Sequence, residues 1–173
     1  MKLKVFLIGM MGAGKSTIGS ALALRLGWAW FDSDAQVESN TGKTVVEIFA
    51  EQGEQAFRKQ ESAALEQGAN YSDPAVVSVA GGAVLDPQNR KLLSDSGSVI
   101  WLRATPETII KRVGTGTGRP LLEGNVAENV KNLYQFRAPL YEQIADLIID
   151  VDNKPISQIL DQIEQWLLAN NNI

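Results

Sequence analysis

Residues 9–16 read GMMGAGKS and fit G-x-x-x-x-G-K-[ST]. The flanks decide how that stretch is read. Before it, KLKVFLIG (2–9) is an apolar run suited to a buried strand, and after it Ile18, Leu22 and Leu26 fall at helical spacing from Lys15 to Leu26. Gly27 is a natural stop for that helix. A competing reading takes Lys2, Lys4, the run Val5 to Ile8 and Ala21-Leu22-Ala23 as an export signal. Gly9, Gly12 and Gly14 thin that run and Lys15 puts a charge in its middle, so strand–loop–helix is the better reading. In such a loop glycines let backbone N–H groups turn inward on phosphate oxygens, and the helix N-terminus adds its dipole. Lys15 can then reach the β- and γ-phosphates, and the Ser16 hydroxyl can ligate Mg²⁺.

The rest of the chain repeats the alternation. WAWFDSD (28–34) reads as a strand, followed by helical segments at about 44–52 and 54–69 with Gly53 between them. AVVSVAGG (75–82) is a third strand, SVIWLRA (98–104) a fourth and ADLIIDV (145–151) a fifth. Asp86-Pro87 and Thr105-Pro106-Glu107 each look like an N-cap followed by proline at N1. Helices are expected over about 126–143 and 156–169, ending in a frayed NNNI tail. VGTGTGRPLLEGN (113–125), with its four glycines, reads as a mobile loop. Strands alternating with helices predict a parallel sheet covered on both faces, with ligands beyond the carboxyl ends of the strands.

Composition narrows the chemistry. With 173 residues, 45% hydrophobic and 21% charged, one compact domain with its own core is expected. Neither cysteine nor histidine is present, so acid–base and metal chemistry falls to carboxylates, hydroxyls, lysine, arginine or backbone. The net charge of −4 argues against general nucleic-acid binding, and no stretch has the about 20 apolar residues a membrane span needs. Asn153-Lys154-Pro155-Ile156 begins like the guanine-reading N-K-x-D but has Ile156 where the acid belongs, which favours ATP.

Several residues are candidates for acceptor chemistry. Asp32 and Asp34, two apart on an extended segment, would face one pocket, one holding Mg²⁺ through water and the other accepting from a substrate hydroxyl. Equally, Asp34 could merely cap the next helix. Arg58 is either one half of an i,i+4 pair with Glu54 on a solvated face or a bidentate grip on a carboxylate, and Arg137 in FRAPLY faces the same choice. Gly81-Gly82 is a turn or a place where backbone approaches a ligand. Arg119, in a glycine-rich loop, suits a lid that neutralises charge on a transferring phosphoryl group.

Together GMMGAGKST, DSD, FRxxE, GGAV, RPLL and RAPLY, in this order, resemble the shikimate kinase family over nearly the whole chain. The resemblance implies a three-layer α/β/α P-loop fold with a five-stranded parallel sheet, related to nucleoside monophosphate kinases. It implies one domain over 1–173, substrate-binding helices at about 34–70 and a short lid at about 113–125. It implies transfer of the ATP γ-phosphoryl to the 3-hydroxyl of shikimate by a cytoplasmic, monomeric enzyme of aromatic amino acid biosynthesis, with no nucleic-acid or membrane partner. By family pattern Asp34 binds shikimate hydroxyls and is the candidate base, Arg58 and Arg137 hold the carboxylate, and Gly81 and Gly82 lie beside the ring. Gly12, Ala13, Gly14, Lys15, Ser16 and Thr17 hold the nucleotide, Arg119 touches phosphate and Arg112 packs on adenine. Ser16 ligates Mg²⁺, with Asp32 one layer out. Lys15, Asp34 and Arg119 are the implied catalytic set.

Two departures stand out. Ala80-Gly81-Gly82 carries alanine where the family usually has a first glycine, and Gln135-Phe136 before Arg137 is less polar than the pattern suggests. The alternatives are a related kinase of gluconate or a nucleoside monophosphate, or a catalytically weak nucleotide-binding homologue. The loop around Asp152-Asn153-Lys154 is too weakly patterned to assign.

Overall fold

The computed structural model describes residues 3–170 and 172–173. Lys2, at the head of the expected first strand, and Asn171, in the expected tail, lie outside them. Strand β1 (Lys4–Ile8) has all five residues buried. Burying side chains such as Val5, Phe6, Leu7 and Ile8 is worth about 1.5–3 kcal/mol each, which places this strand at the sheet's centre. Helix α1 (Lys15–Leu26) follows and ends with Gly27 in the left-handed conformation. Strand β2 (Ala29–Asp32) leads into α2 (Ser33–Thr41) and α3 (Val45–Ala69). Strand β3 (Ala75–Ser78), a 3₁₀ turn at Ala83–Leu85, α4 (Pro87–Ser96), β4 (Ser98–Arg103) and α5 (Pro106–Val113) come next. A 3₁₀ turn at Pro120–Leu122, α6 (Val126–Ile144), β5 (Leu147–Asp150) and α7 (Ile156–Ala169) complete the order.

All paired strands are parallel, in the order β2-β3-β1-β4-β5. The chain runs outward from β1 to β2, returns through β3, then crosses β1 to β4 and β5. The loop after β1 therefore sits where strand order reverses, the usual ligand crevice of such sheets. Helices α1 and α7 pack together and on the sheet, while α3, α4 and α6 form a second packed group.

Several expected boundaries move, for identifiable reasons. The expected strand through Asp34 stops at Asp32. The Asp32 carboxylate accepts from the backbone N–H groups of Asp34 and Ala35 at 3.1 and 3.2 Å, so the chain turns helical at Ser33. Asp32 and Asp34 are thus not alternate residues of an extended chain, and Asp32, not Asp34, is the cap. Helix α2 takes most of the segment that periodicity left unassigned before residue 44, within the 34–70 stretch where the resemblance implies helices. Gly53, at φ 79 and ψ 172, breaks α3 where the two helical segments were expected to meet. The expected strand 75–82 leaves the sheet after Ser78, and 145–151 shortens to Leu147–Asp150. Proline caps at Asp86 and Thr105 form as expected. The tail is not frayed at its end, since the Asn172 N–H donates to Leu167 at 3.0 Å and Ile173 packs on the core.

Candidate active site

Three adjoining cavities open along the carboxyl ends of the strands. The middle one is lined by the loop after β1 together with Asp32, Asp34, Gly81 and Arg119. Serine hydroxyls fix the start of α1. Ser78 Oγ donates to the Lys15 carbonyl at 2.9 Å and accepts from Trp30 Nε1 at 3.1 Å. Lys15 Nζ donates to the carbonyls of Gly9 and Met10 at 2.8 and 2.9 Å. Burial lowers its pKa to about 8, with Asp34 and Asp32 opposing the shift. Ser16 Oγ donates to Asp32 Oδ2 at 2.5 Å while Oδ1 of the same carboxylate caps α2. One side chain thereby joins the loop to the helix that carries Asp34. Burial raises the pKa of Asp34, against the pull of Lys15.

A hydroxyl and a carboxylate are the hard oxygen donors that Mg²⁺ accepts when phosphate and water complete its shell. Among the described residues no group of three or more acids forms a cage of its own. Ser16 and Asp32 therefore fit an ion that arrives with its nucleotide.

The second cavity shares Asp34, Ala80, Gly81 and Arg119 with the first and adds Arg58, Gly82, Arg137 and Glu61. Arg58 is not on a solvated face. Its guanidinium binds Glu54 at 3.0 Å and Glu61 at 2.9 Å, and Glu61 is 1% exposed. Arg137 is 2% exposed, and none of the ion pairs among the described residues includes it. The Nε atoms of Arg58 and Arg137 are both buried without a hydrogen-bond partner among the described residues. Burial pushes the Tyr141 hydroxyl up to about 12, so it stays a neutral donor and holds the Gly81 carbonyl at 2.6 Å. Ala80 is buried at the junction of the two cavities, its N–H donating to Ser33 Oγ at 2.8 Å.

Gly82 is tied to Arg58 by close approach. A Cβ built there would lie 2.0 Å from Arg58 Nη1 and 2.5 Å from Cζ. The obstructing atoms end a long side chain, so Gly82→Ala displaces the guanidinium rather than the backbone. The expected result is an acceptor KM raised about tenfold, the worth of one charged hydrogen bond, with the nucleotide KM and the thermal midpoint little changed. Steady-state kinetics and a melting curve check it, and an equal rise in both KM values counts against it.

The third cavity groups Gly12, Ala13, Gly14 and Thr17 with Arg112, whose Nη1 donates to the Gly12 carbonyl at 3.0 Å. Val151, Lys154, Ile156 and Ile159 complete it. The resemblance puts Arg112 on adenine here and leaves only the loop around Asp152-Asn153-Lys154 unassigned. In the structure Asn153 takes a left-handed φ of 55, and Asp152 accepts from the Thr105 N–H at 3.1 Å. Glu61 and the apolar wall of Phe49 and Phe57 in the second cavity also went without a role, although Glu61 ends the quoted FRxxE.

A phosphate loop at the strand-order reversal, a hydroxyl–carboxylate pair beside it and an arginine-lined pocket next door define a P-loop kinase of a small acceptor. The shikimate kinase family model matches residues 11–168. A shikimate kinase of Moorella thermoacetica is 42% identical over 165 residues, covering 95% of this chain and 94% of that protein. The structure of a shikimate kinase from Acinetobacter baumannii in complex with shikimate matches with a TM-score of 0.93 at 33% identity, over 96% of this chain and 93% of that one. A gluconokinase from Sinorhizobium meliloti, at 18% identity and a TM-score of 0.65, shares the fold alone. The chain belongs to the shikimate kinase family. It is a transferase that phosphorylates shikimate with ATP and Mg²⁺ in aromatic amino acid biosynthesis.

Proposed function

We propose that the transfer falls on the 3-hydroxyl of shikimate and that the three cavities divide the work. The observation that carries this reading is buried Arg137, a cation with no ion pair among the described residues, in the pocket that holds Asp34. A buried cation without an ion pair costs several kcal/mol, and a carboxylate on the acceptor, added to the more distant Glu61, offsets that cost. Arg137 and Arg58 grip that carboxylate, with Gly81 and Gly82 beside the ring. Asp34 accepts from the ring hydroxyls and orients the one that reacts. Its raised pKa suits it to take the proton as the hydroxyl oxygen bonds to the γ-phosphorus and the bond to the β-phosphate oxygen breaks.

Lys15 leaves the Gly9 and Met10 carbonyls for the β- and γ-phosphates, and Arg119 neutralises the transferring group from the lid. Gly12, Ala13, Gly14 and Thr17 wrap the nucleotide, and Arg112 lies on its base. Ser16 holds the metal with Asp32 behind it. Bound magnesium supplies charge neutralisation at the phosphate oxygens. The chain acts as one domain over 1–173, with its substrate-binding helices at about 34–70 and its lid at about 113–125. We place it in the cytoplasm as a monomer without nucleic-acid or membrane partners. Its net charge of −4 argues against general nucleic-acid binding, and among the described residues no helix is long and apolar enough to cross a membrane.

A coupled assay with ATP and shikimate, followed by product analysis, tests the reading. Shikimate 3-phosphate and ADP in equal amounts are expected. No turnover by folded protein that still binds ATP, or phosphate on another hydroxyl, overturns it.

A further inference from the structure

Behind Arg58 and Gly82 lies a separate cavity, floored by Ser62, Ala83 and Asn89. Asn89 is 5% exposed and belongs to α4, outside the three cavities of the active site. Its single amide nitrogen donates twice. One bond goes to Ser62 Oγ on α3 at 3.0 Å, the other to the Ala83 carbonyl at 3.0 Å. Ser62 follows Glu61, the buried partner of Arg58, and Ala83 follows the Gly81-Gly82 turn. Next to Asn89, Arg90 Nη1 donates to the carbonyls of Val84 and Leu85 at 2.7 and 3.2 Å. Helix α4 thus holds the 3₁₀ turn that follows Gly81-Gly82 by two consecutive side chains and ties it to α3 by one.

We infer that Asn89 is a positioning residue for the acceptor: it sets the gap between α3 and the glycine turn in which the Arg58 guanidinium lies. The gap has no slack, because the guanidinium fills the space a Cβ at Gly82 would take. Losing the bridge lets α3 and the turn separate, and Arg58 loses the backing that aims it. The effect passes through Arg58, so it falls on acceptor recognition and leaves the nucleotide side alone. This inference rests on the proposed role of Arg58 as a carboxylate grip.

The experiment compares Asn89→Ala, Asn89→Asp and Ser62→Ala, each alone and with Arg58→Ala. Asn89→Ala is expected to raise the shikimate KM about tenfold, the equivalent of one to two lost buried hydrogen bonds, with the KM for ATP within about twofold. Asn89→Asp, isosteric but unable when ionised to donate, loses at least as much. Ser62→Ala removes one acceptor only and loses about two- to threefold. In the Arg58→Ala background the Asn89→Ala penalty on shikimate affinity disappears. The inference is overturned if both KM values rise together, if Asn89→Asp matches the parent, or if the Asn89 and Arg58 losses add in full. Should Asn89→Ala fail to fold, Ser62→Ala carries the same decision through its KM split and its coupling to Arg58. Arg58→Ala alone tests the underlying reading, and unchanged shikimate affinity in that variant refutes the grip and this inference with it.

Discussion

Arg58→Ala weakens shikimate binding by about a hundred- to ten-thousandfold and leaves ATP binding within a few-fold. The size follows from two charge-assisted hydrogen bonds to one carboxylate, worth about 1.5–3 kcal/mol each. The asymmetry follows from place, because Arg58 lines the acceptor cavity and not the loop that follows β1. Titration of each ligand separately decides the matter, and equal losses would make Arg58 a structural residue only. A second consequence separates binding from stability. Glu61 is buried, and burial already raises its pKa against the opposing charge of Arg58. Removing Arg58 alone leaves that carboxylate unpaired, a loss of about 3–5 kcal/mol. Replacing both by apolar residues, as in Arg58→Met with Glu61→Met, restores the thermal midpoint without restoring shikimate affinity. Recovery of both together would contradict a direct role in binding.

Lys15→Met lowers kcat on the order of a thousandfold, the usual loss when one aimed donor to developing charge is removed. Methionine fills a similar volume, so the fold survives. The charge is the part that is lost, and with it a proton signature. Free Lys15 has a pKa of about 8, whereas a polyphosphate beside it favours the charged form. Nucleotide binding therefore takes up a proton as pH rises through 8, and ATP affinity falls over the same range until the lysine of the bound form also titrates. Calorimetry at about pH 8.5 in buffers of different ionisation enthalpy measures that uptake. It is expected in the parent and absent in Lys15→Met. An equal uptake in both would assign the proton to another group.

Much of this molecule was legible before any coordinates. A strand, a glycine loop ending in Lys15-Ser16 and a helix stopped by Gly27 are local events, settled by neighbours in the chain. Apolar runs alternating with helical spacing then require a parallel sheet, since only that arrangement buries both faces of such strands. The caps at Asp86 and Thr105 were readable for the same reason. Helix α2 was not. Its start depends on how the two oxygens of Asp32 are shared, one accepting from Ser16 on another element and one from the backbone ahead. No periodicity in 28–34 records that division.

The chain's motifs by themselves determined a nucleotide loop, the layered sheet and the family, because those rest on residues close in sequence and on their order. Tertiary structure alone set the surroundings of each arginine. It paired Arg58 with a carboxylate out of water, buried Arg137 without an ion pair among the described residues, and pressed Gly82 against the guanidinium. It also brought Asn89 behind them both. The physical reason is the same in each case: burial and close approach between distant segments set the strength and direction of a charge, and a sequence carries the charge without its surroundings.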